Sequence, residues 1–361
     1  MRPEHKSFSF SLLLISIAIV ISAASAFAAV PVFNNVSKWK ATAQQQPVPA
    51  PEIVASTPTT TIAATPAANV KSTPVRPVLG QARNITDVKK RIGPLVTTAT
   101  TKRLNRKISS RCAIIIDAVS GKTLYARNPD TQRQPASTIK VLTGMIALKS
   151  LNNSEQVSVS RKAAKQPRSK VYLDQKKKYD ANDLINAVLL ASANDASVAI
   201  AERIAGSEKE FAQMMTLRAN LWGATRTVCK TATGLTAKGQ KSTARDLATI
   251  FRYAMQDPDF SKRMKKVKVR TTEGKLLRSH NKALWQVDGT LGGKTGYTNA
   301  ARQTYVGKFK RGSDELIVAI MGSETMWADI KQLVTYGFKK KIALNNEMQS
   351  LESKVELVAE L

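Results

Sequence analysis

The chain has 361 residues, of which 43% are hydrophobic, enough for a buried core in one or two domains. Two cysteines are too few for a disulfide framework or for the usual zinc patterns. Because 56 Lys and Arg residues face only 26 Asp and Glu residues, we expect a polyanionic partner, either nucleic acid or an anionic wall or membrane surface.

Residues 1–28 have the pattern of an export signal. Arg2 and Lys6 precede an apolar run at 12–21, and small residues follow at 24–28. An uncleaved membrane anchor is the alternative, because the apolar run approaches the ~20 residues that span a bilayer. Either way we expect the rest of the chain to lie outside the cytoplasm, in the periplasm or at the wall, which argues against nucleic acid.

Residues 29–107 are predicted to be a largely disordered linker. Positions 41–79 are rich in Pro, Ala and Thr without a helical or strand period, and positions 80–107 are strongly basic. A structured domain is expected to begin at 108 and to extend to 343. The remaining residues, 344–361, are predicted to form an acidic helical tail.

Within the structured domain the pattern alternates between buried strands and amphipathic helices. We predict an α+β fold, an antiparallel sheet with terminal helices packed on it and a mainly helical insertion. The predicted strands are Cys112–Asp117, Thr123–Ala126, Gln303–Phe309 and Glu315–Met321, and the predicted helices are Ser137–Leu148, Asn182–Leu190, Ala196–Ile204 and Met326–Phe338. Cys112 and Cys229 are either a pair or, as we favour, two separate buried thiols.

The chain contains only two histidines, His5 in the signal and His280. No G-x-S-x-G elbow is present, so a Ser-His-Asp hydrolase is disfavoured. A serine nucleophile here would need another base, and a desolvated lysine with a lowered pKa can serve.

The S-x-x-K pattern that suits this chemistry occurs at Ser37, Ser137 and Ser279. Only Ser137 begins a predicted helix, where it and Lys140 would share a face. The N-terminus of a helix also favours developing negative charge. The alternative interpretation is that Ser137 is an ordinary helix N-cap.

Two further patterns follow in order. Ser192-Ala193-Asn194 lies between two predicted helices. Lys294-Thr295-Gly296 is the only K-T-G in the chain. Each has a simpler explanation. The first pattern would also suit a helix–helix turn in which Asn194 caps the next helix, and the second would suit a glycine-rich turn. The ordered combination of all three patterns indicates a catalytic site.

The three segments together resemble the signatures of serine-type D-alanyl-D-alanine carboxypeptidases, the low-molecular-mass penicillin-binding proteins of peptidase family S11. The resemblance covers roughly residues 108–340 and rests on Pro135–Lys140, Leu190–Asp195, Lys294–Thr298, Thr233–Leu235 and Ser242–Ala248. The sequence differs from the family's motifs at Ala193, where glycine is frequent in the family, and after Gly296, where many relatives have Ala-Gly. The β-rich second domain of some relatives is also absent from the sequence after Phe338.

This resemblance implies a DD-peptidase/β-lactamase-like fold and a site without metal or cofactor. Ser137 would be the acyl-ester nucleophile, Lys140 the general base and Ser192 a proton relay, while Asn194 would hold Lys140 or the substrate amide. The substrate-binding residues would be Lys294, Thr295, Gly296 and Tyr297: the first two would bind the terminal carboxylate, and the Tyr297 N–H would join that of Ser137 in an oxyanion hole.

The implied partners are peptidoglycan stem peptides, β-lactams as inhibitors and the anionic cell wall, with a possible N-terminal membrane anchor. An endopeptidase that cuts D-Ala–diamino-acid crosslinks would use the same residues and stays open. A β-lactamase is disfavoured because no convincing Glu-x-x-x-Asn loop lies between Ser192 and Lys294. A non-catalytic wall-binding or penicillin-sensing protein is disfavoured because all catalytic groups are present.

Overall fold

The structure, a computed structural model, describes residues 98–359. The predicted signal at 1–28 and the predicted linker up to residue 97 lie outside these residues. Within 98–359 no helix has both the length and the apolar character needed to cross a membrane.

The described chain alternates strands with helices in the order expected for an α+β domain. The strands are β1 (Cys112–Asp117), β2 (Thr123–Arg127), β3 (Gln156–Ser158), β4 (Lys178–Asp180), β5 (Lys268–Arg270), β6 (Leu276–Arg278), β7 (Thr290–Thr298), β8 (Arg302–Arg311) and β9 (Asp314–Ser323). The helices are α1 (Thr98–Lys107), α2 (Lys140–Ser150), α3 (Arg161–Ala164), α4 (Ala181–Leu189), α5 (Asn194–Ala205), α6 (Glu208–Leu221), α7 (Ala244–Ala254), α8 (Pro258–Met264), α9 (Ala283–Gln286) and α10 (Met326–Ala359).

The central sheet has five antiparallel strands in the order β2-β1-β9-β8-β7. All six residues of β1 are buried, because helices cover both faces of the sheet. A strand buried on both faces is a continuous apolar run in the sequence, and this is why Cys112–Asp117 was predictable. The predicted hairpin is also present, with Arg311 paired to Asp314 across the turn between β8 and β9.

The terminal helices α1 and α10 share one apolar core with the sheet. Leu104 and Ile108 belong to the same buried cluster as Ile115 of β1 and Leu333 of α10. The Asp329 carboxylate at the start of α10 accepts backbone N–H bonds from residues 109 and 110, at 2.9 and 2.8 Å. These contacts fasten the beginning of the domain to its final helix.

Two predicted boundaries are therefore wrong. Helix α1 occupies the last ten residues of the segment 29–107 that we predicted as a disordered linker. Its only large apolar side chain is Leu104, so the sequence of α1 shows no helical period that would have predicted it. The predicted helical tail from 344 is helical as far as Ala359, but it continues the helix predicted at Met326–Phe338, since α10 runs unbroken from Met326 to Ala359.

The helical insertion lies between β2 and β7. Helix α7 packs on the sheet at β1, β8 and β9, and the first eight residues of α2 are all buried. Helices α2 and α4 approach closely at Gly144, where a Cβ atom would lie 2.4 Å from the Leu189 side chain. The helices predicted at 182–190 and 196–204 are confirmed as α4 and α5.

The predicted helix Ser137–Leu148 begins differently. Residues Ala136–Ile139 form a 3₁₀ turn, and the α-helix starts only at Lys140. Pro135 precedes the turn and supplies no side-chain cap. Side chains at i and i+3 eclipse one another in a 3₁₀ turn, and Ser137 therefore still faces Lys140.

The two cysteines are free, and both are buried. Burial raises the pKa of the Cys229 thiol to about 12, which keeps it protonated and unreactive. The question that the sequence left open is thus answered in favour of separate thiols.

Candidate active site

A groove of about 430 Å³ opens where the 3₁₀ turn, the start of α5 and strand β7 converge. Six of the eight residues predicted for the site line it, namely Ser137, Ser192, Asn194, Thr295, Gly296 and Tyr297. The two lysines, Lys140 and Lys294, lie beneath its floor and are 0% and 1% exposed. The structure thus brings together all eight residues from three distant segments of the chain.

Ser137 and Lys140 form the centre of the site. The Lys140 Nζ lies 3.0 Å from the Ser137 Oγ, within hydrogen-bond distance. It also donates to Asn194 Oδ1 at 2.7 Å and to the Thr233 carbonyl oxygen at 2.6 Å. Ser137 is consequently not the N-cap that the sequence left possible, because its Oγ contacts the Lys140 Nζ and, at 3.5 Å, the Thr233 carbonyl oxygen.

The partners of Lys140 determine where a lone pair would point. A neutral amine has two hydrogens and one lone pair, and the oxygens of Asn194 and Thr233 can only accept hydrogen bonds. Both hydrogens are therefore directed at these two oxygens. The lone pair is left facing the hydroxyl of Ser137, the geometry that a general base requires.

The electrostatics favour this neutral form. Burial and then the positive charge of Lys294 lower the pKa of Lys140 well below its usual range, and the carboxylates of Asp195 and Glu208 oppose the shift only in part.

Ser192 and Lys294 form a second pair beside the first. The Lys294 Nζ donates to Ser192 Oγ at 2.8 Å and to the Thr295 carbonyl at 3.1 Å. Complete burial lowers the pKa of Lys294 to about 7. Ser192 itself has φ +57°, a left-handed conformation that is rare outside glycine and is found at functional sites.

Strand β7 forms one wall of the groove, and its glycine is required by close packing. A Cβ atom at Gly296 would lie 2.5 Å from Thr304 Oγ1 and 2.7 Å from the backbone nitrogen of Ser137. Glycine therefore lets the strand approach the backbone of Ser137. Thr295 and Tyr297 flank this contact on the groove side, and the Tyr297 side chain is 55% exposed.

Ser137 is held by an unusual backbone path. Ala136, directly before Ser137, has φ +50°, and Gly234 packs against it so tightly that a Cβ atom would lie 2.1 Å from the Ala136 oxygen. The Thr304 hydroxyl donates to the Pro135 carbonyl at 3.0 Å. Residues from the insertion and from the sheet therefore fix the turn that carries Ser137.

A loop at 167–173 forms the opposite wall and is tied to the start of α5. The Asn194 side-chain amide donates to the Pro167 carbonyl at 3.0 Å, and its backbone N–H donates to the Ser169 carbonyl at 2.7 Å. The buried Asp195 carboxylate accepts the backbone N–H groups of Val171 and Leu173 at 3.1 Å. Asn194 thus serves the loop and the lysine, rather than capping a helix.

Sequence reasoning missed several groups at this site. The Thr233 carbonyl belongs to the Thr233–Leu235 segment noted only for its resemblance, and the role of Asp195 depends on a loop more than twenty residues away. Arg168, Ser169, His280 and Trp327 line the groove, but nothing in the sequence connects them with the three motifs. Burial and the nearby charges of Lys294 and Lys140 lower the pKa of His280, so its imidazole is neutral at neutral pH.

The other S-x-x-K patterns do not form comparable sites in the described part of the chain. The Ser279 hydroxyl accepts the backbone N–H of Asn281 at 3.2 Å, and Lys282 is exposed. Ser37 lies outside residues 98–359. Among the described residues no group of three or more His, Cys, Asp or Glu side chains could hold a metal ion.

Known proteins resemble this chain over the same region. The sequence model of the D-alanyl-D-alanine carboxypeptidase family matches residues 97–325. The D-alanyl-D-alanine carboxypeptidase DacB2 of Mycobacterium tuberculosis is 35% identical over 236 residues, which cover 62% of this chain and 81% of the relative.

Solved structures are similar as well. A crystal structure of D-alanyl-D-alanine carboxypeptidase from M. tuberculosis H37Rv superposes with a TM-score of 0.61 and 33% identity, covering 64% of this chain and 91% of that one. The ampicillin-bound penicillin-binding protein D2 of Listeria monocytogenes has a TM-score of 0.59 and 27% identity, covering 64% and 98%.

Proposed function

The chain belongs to the D-alanyl-D-alanine carboxypeptidase family of serine peptidases, and from this premise we propose that it removes the terminal D-alanine from peptidoglycan stem peptides through an acyl-enzyme on Ser137. The observation that carries the proposal is the 3.0 Å contact between the Ser137 Oγ and the Nζ of Lys140, a buried lysine whose pKa is lowered by burial and by the charge of Lys294.

In the acylation step the Ser137 Oγ attacks the carbonyl carbon of the D-Ala–D-Ala peptide bond. Lys140 takes the hydroxyl proton, and the tetrahedral intermediate then collapses as the C–N bond breaks. The leaving amine needs one proton, the one that Lys140 took from Ser137, and Ser192 relays it to the leaving nitrogen. The 2.8 Å bond between Ser192 Oγ and Lys294 Nζ supports this relay.

Residues of strand β7, which forms one wall of the groove, bind the substrate in this proposal. A protonated Lys294 attracts the terminal carboxylate, and the Thr295 hydroxyl supplies a second donor on the groove side. The backbone N–H groups of Ser137 and Tyr297 are proposed as the oxyanion hole, supported by the close approach of Gly296 to the Ser137 nitrogen. Loss of one such donor typically lowers the rate by ~10²–10³.

Water then hydrolyses the ester, with Lys140 again as the base, and releases the shortened stem peptide. A β-lactam would acylate the same serine, since its strained amide presents a carbonyl and a carboxylate in a similar arrangement. The export signal predicted at 1–28 supports a location at the wall, where stem peptides occur.

The test is mass spectrometry of two substrates, a stem pentapeptide ending in D-Ala-D-Ala and a crosslinked dimer. We expect loss of one D-alanine from the pentapeptide and little cleavage of the dimer, while the Ser137→Ala variant cleaves neither. Preferential cleavage of the dimer would identify an endopeptidase, and cleavage of neither substrate by the wild-type protein would refute the proposal.

A further inference from the structure

Glu208 is a buried carboxylate behind the active site to which the steps proposed above assign no role. It is the first residue of helix α6 and is 9% exposed. One carboxylate oxygen accepts the backbone N–H of Ala232 at 3.2 Å, and the other pairs with the Lys162 ammonium at 2.9 Å. Burying a carboxylate is costly unless it is hydrogen-bonded and paired, and both of these conditions are met here.

The backbone that Glu208 holds leads directly to Lys140. The carbonyl of Thr233, the residue after Ala232, accepts a hydrogen bond from the Lys140 Nζ at 2.6 Å. The Ala232 carbonyl accepts the Thr143 hydroxyl of α2 at 2.7 Å. Helix α2 and Glu208 therefore hold the residues 232–233 between them. A shift of this backbone would displace an acceptor that orients the Lys140 amine.

The charge of Glu208 opposes the neutral form of Lys140. Burial and Lys294 lower the pKa of Lys140, whereas the carboxylates of Asp195 and Glu208 raise it. His280, which also lies near Lys140, is neutral and adds no charge. The Asp195 carboxylate accepts three backbone N–H groups. Among residues 98–359, Glu208 has a cation as its ion-pair partner and Asp195 has none.

Lys162 is held in place to oppose this charge. It lies on the short helix α3, where the Ser160 hydroxyl accepts the backbone N–H of Ala163 at 3.0 Å and so caps the helix. Its side chain is 57% exposed, against 11% for that of Glu208. An ion pair with one partner this exposed contributes little to stability. The effect of Lys162 is therefore sought in the local electrostatics.

We propose that Glu208 and Lys162 form a positioning pair for the catalytic base, in which Glu208 holds the backbone that carries the Thr233 carbonyl and Lys162 offsets the negative charge that Glu208 brings near Lys140. The inference rests on the proposed function, in which Lys140 accepts a proton from Ser137. Neither residue of the pair lines the groove, so both act through Lys140.

The test is the pH dependence of penicillin acylation by the full-length protein, measured as a second-order rate between about pH 4.5 and 8. Lys162→Gln leaves the charge of Glu208 unopposed, which raises the pKa of Lys140. The midpoint of the acid limb should therefore move up by about half a pH unit. Glu208→Gln removes the negative charge and should move the midpoint down by a similar amount. The double variant Glu208→Gln/Lys162→Gln loses both charges and should return close to the wild-type midpoint.

The hydrogen bond to Ala232 is tested by the maximal rate above the acid limb. Glu208→Ala removes the acceptor of the Ala232 N–H, and we expect the maximal rate to fall about tenfold. Glu208→Gln keeps an oxygen at this position and should recover most of this loss. Equal maximal rates for these two variants would overturn the positioning role of Glu208.

The matched control is Lys165→Gln, which removes an exposed cation directly after α3 and should keep the wild-type midpoint. An unchanged midpoint in Lys162→Gln, a shift of the same sign in Glu208→Gln, or an equal shift in the control overturns the pair. Because Lys162 is largely exposed, its variant decides the question even if the Glu208 variants fold poorly. In each of these cases acylation of Ser137 still supports the proposed function, whereas a wild-type protein that is not acylated at any pH refutes both.

Discussion

Two lysines with the same side chain have different environments in this site. Lys140 is surrounded by two carbonyl oxygens and the Ser137 hydroxyl, whereas Lys294 contacts Ser192 and its own neighbour's carbonyl. Burial lowers the pKa of both, but the proposed roles need opposite protonation states. Lys140 must be neutral to accept a proton, and Lys294 must be charged to bind a carboxylate.

This difference predicts a bell-shaped pH dependence of penicillin acylation. The rate should fall toward acid as Lys140 gains a proton, and it should fall above about pH 7 as Lys294 loses one. In Lys294→Arg the guanidinium stays protonated, so the alkaline decline should disappear, with a rate ~10–100-fold lower because a larger group must fit a fully buried position. Lys140→Arg should be inactive from pH 6 to 10.

The measurement is the second-order acylation rate of each variant across this range. An unchanged alkaline decline in Lys294→Arg would show that another group titrates there. Acylation of Lys140→Arg at the rate of Lys294→Arg would remove Lys140 as the base.

At the level of single residues, the motif residues could be predicted and their partners could not. The i, i+3 spacing of Ser137 and Lys140 is a local property that survives the change from α-helix to 3₁₀ turn. The Thr233 carbonyl carries no side-chain signal, and its contact with Lys140 spans 93 residues. Such a contact depends on the tertiary fold alone.

Among the elements, the loop at 167–173 depends on one buried carboxylate. Asp195 accepts backbone N–H groups from Val171, Leu173 and Ala196 with its two oxygens. Because Asn194 also holds this loop while bonding to Lys140, the wall of the groove and the position of Lys140 are coupled through adjacent residues.

We predict that Asp195→Asn loosens this wall. The amide offers one acceptor instead of two and directs its NH₂ group at backbone N–H donors, a loss of ~1–3 kcal/mol in the free energy of unfolding. Urea unfolding should show this loss, trypsin should cut faster at Arg168 and Lys170, and penicillin acylation should slow about tenfold. The control is Asp174→Asn, an exposed carboxylate of the same segment, which should match the wild type. Equal trypsin rates for Asp195→Asn and the control would contradict the coupling.

Strand β7 illustrates why some elements escape prediction. Its Gly-Gly-Lys-Thr-Gly sequence is typical of a turn, yet it pairs with β8 from Thr290 to Thr298. The glycines are there because neighbouring groups approach closely, Tyr305 at Gly293 and Ser137 at Gly296. By contrast β1, β8, β9, α4 and α5 have the expected periods and were predicted within a few residues.

In the whole molecule, charge is distributed over the catalytic domain as well as the N-terminal segment. Two basic stretches of the insertion, 161–165 and 176–178, contain exposed lysines and arginines. Exposed charges interact over ~10 Å at 0.1 M salt and are screened beyond this distance.

We therefore expect retention on purified sacculi to fall steeply as salt rises from 50 to 500 mM. The double variant Lys176→Gln/Lys177→Gln should be released at lower salt than Lys331→Gln/Lys339→Gln, which removes two charges from α10. Salt-independent retention would contradict electrostatic docking, and equal release of the two variants would assign retention to general basicity.

The central claim, an acyl-enzyme on Ser137, is tested most directly by intact-mass measurement after incubation with a fluorescent penicillin, followed by peptide mapping. The wild-type protein should gain the mass of one penicillin, located on the peptide that contains Ser137. Ser137→Ala should gain none while keeping its thermal stability, and Ser37→Ala and Ser279→Ala should be labelled like the wild type. An adduct that persists in Ser137→Ala, or one that disappears in Ser279→Ala, would contradict the assignment.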